Sequence, residues 1–266
     1  MKRLFAALTL ALSAAVPSLA WAGSTEGDKP ILPTEEIAAF ADDVQHSLAA
    51  HGAHVAIVGR VGRDPDVLPD GIEYTHVAFW VYSQIKEADG STGTGYRVYN
   101  LYQGIDNDTR SSLVQEDPAR FFSGVYELNA GIIIPDPRMQ ERLLDVIASP
   151  TYAALHNPNY AVLANPRSTT YQNCTEHTLD VIMAGVYQTD DIPQIKANVA
   201  AYFDPQHVQI GGMKRLFAPA MSAAFTTSDH DDRIETATFR SIARFMEDNA
   251  LSSVVYSLHP DGQLGG

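Results

Sequence analysis

The sequence of 266 residues predicts an α+β fold. Three observations carry that expectation: apolar stripes at helical spacing, short alternating runs concentrated in the first half, and a turn-rich link between two of those runs that reads as a hairpin. In order, Thr34 reads as the cap of a first helix with Glu35 and Glu36 in its first turn. Ile37, Phe40, Ala41, Val44 and Leu48 form its apolar face, and Gly52 lies beyond its end. Residues 54–58 read as a strand and residues 60–71, rich in Gly, Asp and Pro, as a loop. A second strand is expected at 74–83, and Asp89-Gly90 turns the chain into a third at 96–103. Residues 131–135 read as a further strand. Asp136 and Pro137 then supply the cap and first residue of a helix carrying Met139, Leu143, Val146 and Ile147, which Ser149-Pro150 stops. Residues 151–173, rich in Asn, Pro and Tyr, read as irregular. Two more helices are expected, at 191–203 with Ile192, Ile195, Val199 and Tyr202, and at 234–249 with Phe239, Ile242, Ala243 and Met246. Residues 204–230 have no clear pattern, and the tail ending in Gly265-Gly266 reads as frayed.

The beginning of the chain sets the compartment. Lys2 and Arg3, an apolar stretch from Leu4 to Leu19, and Ala20-Trp21-Ala22 have the layout of a secretory signal. Residues 1–22 are therefore expected to be removed on export to the periplasm, leaving 23–266 as one domain with a helical C-terminal extension. Ser13 and Pro17 interrupt the apolar stretch, and no later segment has the ~18 apolar residues of a membrane helix. The formal charge of −14 becomes more negative still when Lys2 and Arg3 are lost. That sign argues against nucleic acid and anionic lipid as partners, both of which favour basic surfaces.

The sequence contains one cysteine, Cys174, so no internal disulfide can form. Asn173 is a good helix cap, Glu176 stands three residues on as in a capping box, and Leu179, Ile182, Met183 and Val186 form a core-facing stripe. Cys174 is thus expected in the first turn of a buried helix, where free N–H groups and the helix dipole favour the thiolate. A thiolate nucleophile needs a base and a group to orient it. His76 lies in a predicted strand, and Asn100 and Gln103 lie across the hairpin from it. The residues alone leave alternatives open: a buried structural cysteine, a strand histidine bonded to backbone, or a metal site using Cys174, His177, His51 and His54. The run Asp229-His230-Asp231-Asp232 reads as a solvated loop.

A histidine strand, a polar residue on the next strand and a later Asn-Cys-x-x-His helix start resemble circularly permuted papain-like cysteine enzymes of the NlpC and lecithin retinol acyltransferase type. Residues 52–60, Tyr74-Thr75-His76-Val77-Ala78, Phe121-Phe122, 132–135 and Gln172-Asn173-Cys174-Thr175-Glu176 together resemble a bacterial family of exported proteins classed as a domain of unknown function. The resemblance implies a permuted papain-like domain: a small antiparallel sheet packed against the cysteine-bearing helix, with further helices. It implies Cys174 as nucleophile, His76 as base and Asn100 as third member, with Gln103 as the fallback. A position more often histidine in the family holds asparagine here. The Cys174 N–H, with Gln172 or Tyr171, would hold an oxyanion. The expected activity is hydrolysis of an amide through an acyl-enzyme, needing no cofactor, on a peptide or acyl substrate that includes cell-wall peptides. Acyl transfer or thioester cleavage on lipids, or a non-catalytic binding module on the same scaffold, are the alternatives. Oligomeric state is not encoded.

Overall fold

The computed structural model describes residues 30–86, 90–209, 223–260, 262 and 264–265. The expected leader, residues 1–22, lies outside them. The fold is α+β. Helix α1 (Thr34–Ala50) leads into β1 (Val55–Val61), β2 (His76–Lys86) and β3 (Thr92–Gln103), then β4 (Ser111–Glu116), α2 (Pro118–Phe121) and β5 (Glu127–Pro135). Helices α3 (Pro137–Ile147), α4 (Pro150–Ala154), α5 (Cys174–Tyr187) and α6 (Ile192–Tyr202) follow. The chain closes with β6 (Gln206–His207), β7 (Glu235–Thr236), α7 (Phe239–Asp248), β8 (Ser252–Leu258) and β9 (Leu264–Gly265). The main sheet is antiparallel and runs β4-β3-β2-β1-β5-β8-β9, with β6 and β7 paired apart from it.

Both faces of this sheet are covered, which explains why every residue of β1 is buried. On one face, Ile37, Phe40, Val44 and Leu48 of α1, with Phe121 and Phe122, pack on Ala56, Val58, Ala78, Trp80, Val98, Ile132 and Ile134. On the other, Met139 and Leu143 of α3, Leu179 and Ile182 of α5, and Phe239 and Ile242 of α7 pack on Val55, Ile57, Val77, Phe79 and Ile133. Gly59 and Gly131 are partners across β1 and β5. Their bare backbone admits the rings of Tyr74 and Phe239, since a Cβ on Gly131 would stand 2.7 Å from Tyr74.

Several local signals act as read. All five stripe residues of α1 are buried, although Thr34 is its first helical residue and Pro33 holds the cap position. Asp136 accepts from the N–H groups of Arg138 and Met139 at the start of α3. Ser149-Pro150 ends α3 and also starts α4, whose Thr151 N–H the Ser149 hydroxyl accepts. Asn173 caps α5 by accepting from the Glu176 N–H at 2.9 Å. The capping box is half made, because the Glu176 carboxylate turns away to Lys196 at 2.7 Å.

Other expectations are corrected. β4, α2 and β8 occupy stretches with no predicted element, and β1 continues through Arg60 into the expected loop. Within the C-terminal part β8 adds to the sheet beside β5, and Gly265 is paired in β9 rather than frayed. On α6, Ile195 and Val199 are buried, whereas Ile192 and Tyr202 face solvent. Among the described residues no helix is long and apolar enough to cross a membrane.

Candidate active site

Cys174 is the first residue of α5, and β2 is a strand that α5 packs against. The ladder between β2 and β3 ends at Phe79–Tyr99, short of Val77. There the Val77 N–H, with those of Thr175 and Cys174 itself, points at the thiol and favours its ionised form. The Arg60 cation acts in the same direction. Burial outweighs all of them, so the thiol pKa is raised rather than lowered. The helix start does what the sequence implies, but Cys174, 7% exposed, is buried too deeply for it to decide the outcome.

His76, one residue before Val77, opens β2 and is 1% exposed. Its Nε2 lies 2.8 Å from Oδ1 of Asn100. The ring stacks on Tyr102, with centroids 4.9 Å apart and planes within 5°, and tilts against Phe121. Arg60 lies over the same Tyr102 and Phe121 rings, and its Nη1 donates to the Phe121 carbonyl. Burial first, and then this buried cation, hold the His76 pKa well below its ordinary value, against the opposing Asn100 contact. At neutral pH the site therefore holds a thiol and a neutral imidazole.

The two key side chains lie on opposite faces of β2, because successive residues of a strand point to opposite sides and Cys174 packs beside Val77. Cys174 joins the apolar cluster of Val77 and Phe79, whereas His76 rests on Phe121 of the opposite cluster. Among the described residues no hydrogen bond joins them.

Of the remaining predicted residues, Asn100 is brought to His76 and the others are not. Gln103 is buried, but its Nε2 donates to the Asp108 carbonyl at 2.7 Å and so ties down the following loop. Gln172 is not free to hold an oxyanion. Its side chain accepts from Asn157 N–H and donates to the Leu155 carbonyl and to Asp180, while its own N–H goes to the Asn159 carbonyl. The Tyr171 hydroxyl meets Ser228 at 3.1 Å. Both residues line a cleft of about 270 Å³ shared with Glu176, Asp180 and Lys196, whose lining does not include Cys174. The Cys174 N–H is thus the one predicted oxyanion donor found beside the thiol.

The metal alternative finds no support in the geometry. Among the described residues no group of three or more His, Cys, Asp or Glu side chains is arranged to hold a metal ion. His177 is enclosed by Tyr152 and His156, and among the described residues neither ring nitrogen makes a well-formed hydrogen bond, the Leu155 carbonyl offering only a weak contact. Burial, then the charges of His156 and Lys196, lower its pKa to about 3. The Asp229–His230 pair is not solvated as expected. Both side chains are enclosed: Asp229 accepts from Asn165 N–H, and His230 Nε2 donates to the Leu163 carbonyl at 2.7 Å. Asp231 and Asp232 are exposed.

Sequence reasoning missed three residues of this site: Arg60, Tyr102 and Glu116. Glu116 Oε1 accepts from Asn100 Nδ2 and, at 2.6 Å, from the Tyr102 hydroxyl. Tyr102 was within reach, because it stands two residues beyond Asn100 on the same strand and so shares its face. Glu116 carried no such signal, since its strand was not legible.

Fold and site together define an α+β protein in which a helix-start cysteine meets the strand of a buried histidine–asparagine pair. Residues 47–246 match the family described as "Uncharacterized protein conserved in bacteria (DUF2145)", and the chain belongs to that family. No curated protein and no solved structure matches it.

Proposed function

We propose that this chain is an exported cysteine hydrolase acting on amide bonds of cell-envelope peptides, on a permuted papain-like scaffold. The observation that supports it best is the 2.8 Å contact between His76 Nε2 and Asn100 Oδ1, one residue along β2 from Val77, whose N–H points at the Cys174 thiol. His76 would take the thiol proton through Nδ1, Cys174 would attack the carbonyl, and the Cys174 N–H would receive the developing oxyanion. His76 would then return the proton to the leaving amine, and water would release the acyl group. Because the resting pair is neutral and divided between the two faces of β2, proton transfer belongs to the encounter with substrate, which must also turn the start of β2 so that His76 reaches the thiol.

The test is acyl-enzyme capture. The protein is incubated with a panel of peptide and acyl-ester donors carrying a mass tag, and intact mass is read after acid quench. Tagging of Cys174, absent in Cys174→Ala and slowed ~100-fold or more in His76→Ala, is the expected result. Equal turnover by wild type and Cys174→Ala would sink the proposal. Export is read separately: protein recovered from the periplasm should lack residues 1–22.

The burial of Cys174 and His76 favours a second reading, a non-catalytic module on the same scaffold. That reading predicts a Cys174 that reacts with peptide chloromethyl ketones only after unfolding.

A further inference from the structure

We propose that Glu116 is a positioning residue that fixes which nitrogen of His76 carries the proton. This rests on the reading of His76 as the base. An asparagine amide has a donor end and an acceptor end, and turning it over exchanges them. At Asn100 the neighbours decide the orientation. Glu116 Oε1 already accepts a hydrogen bond from the Tyr102 hydroxyl, so it faces Asn100 as an acceptor and requires the Nδ2 end. The Oδ1 end must then face His76, where it accepts only if Nε2 bears the hydrogen. A neutral imidazole has one N–H, so the lone pair falls on Nδ1, the nitrogen left to accept a proton.

The arrangement is built into the sheet. Val98 pairs with Glu116 and Asn100 with Val114, so Asn100 and Glu116 are diagonal neighbours across β3 and β4. Tyr102 serves twice, holding the His76 ring by stacking and donating to Glu116. Glu116 is 7% exposed, which shields the contact from competing water.

The full chain, labelled with nitrogen-15 in its histidines, is read by long-range proton–nitrogen correlation spectra of the rings, with His76 assigned through His76→Gln. Wild-type His76 should show the Nε2–H tautomer. Glu116→Gln, which keeps an acceptor oxygen, should retain it, whereas Glu116→Met should yield a mixture or the Nδ1–H form. An Nδ1–H form in the wild type overturns the proposal without any variant having to fold, and so does an unchanged tautomer in a folded Glu116→Met protein. The acyl-enzyme experiment gives the second readout, with capture slowed ~10- to 100-fold in Glu116→Met and restored in Glu116→Gln. A tautomer that follows Glu116 in a protein whose Cys174 is never acylated upholds the positioning role and removes the hydrolase reading.

Discussion

His177 shows how burial governs single residues in this protein. It lies three residues after Cys174, which suggested a metal ligand or a partner for the thiol, yet its ring is enclosed and, among the described residues, its nitrogens lack a well-formed hydrogen bond. In the folded chain its pKa of about 3 lies below the ordinary 6.5, so between those values the unfolded chain holds a proton that the folded chain does not. Stability from this group is complete above about 6.5 and is lost as pH falls through that window, by ~1.4 kcal/mol per pH unit. His177→Leu should therefore flatten the acid limb of stability by that slope. It should also raise stability at pH 7 by about 1–3 kcal/mol, because unsatisfied buried nitrogens are removed. Urea midpoints from pH 4 to 7 would test both, and a variant as acid-sensitive as its parent would refute the account. The same balance separates what was legible in the catalytic candidates from what was not. The spacing of Asn173, Cys174 and Glu176 announced a helix start, and the hairpin aligned Asn100 with His76. The raised thiol pKa was beyond reach, because desolvation depends on neighbours such as Val77 that only the fold assembles.

At the scale of elements, α5 and α6 are joined by charges that neither helix signals alone. Lys196 reaches Glu176 at 2.7 Å and Asp180 at 2.8 Å, all of them buried. Burial raises the pKa of both carboxyls against the opposing pull of the lysine. Lys196→Met would leave two buried acids without their cation and should cost about 3–5 kcal/mol. Adding Glu176→Gln and Asp180→Asn should restore much of that loss, as read by chemical denaturation; a triple variant no more stable than Lys196→Met would show that the lysine acts by packing alone. The helices were mostly legible from their stripes, and α3 also from its cap Asp136, whereas α7 was expected from 234 but starts at Phe239 behind Thr238, residues 235–236 being β7. β4 was not legible, because in Ser111–Glu116 only Glu116 is buried, whereas β8 does alternate, with Val254, Tyr256 and Leu258 on the α1 side, over too short a run to stand out.

At the scale of the whole molecule, the strand that was hardest to read protects the centre of the sheet. β8 pairs with β5 along Ala130–Leu258 through Pro135–Ser252, covering Ile132, Ile133 and Ile134, all buried. It also brings Tyr256 to Ser47 of α1 at 2.7 Å, so the last main strand ties down the first helix. The family match, residues 47–246, stops before β8 and begins after Ile37, Phe40 and Val44 of α1. A protein cut to those limits would bare an apolar strand edge along β5 and uncover the α1 face of the sheet. Such edges template pairing between chains, so the shortened protein should collect in the void volume on size-exclusion chromatography, whereas residues 30–266 should elute as a discrete species. Truncation after Ala250 alone, which spares α1, should already produce the aggregate; a well-behaved species with an unchanged urea midpoint would mean that β8 is dispensable and that β5 is guarded by α3 and α7 instead.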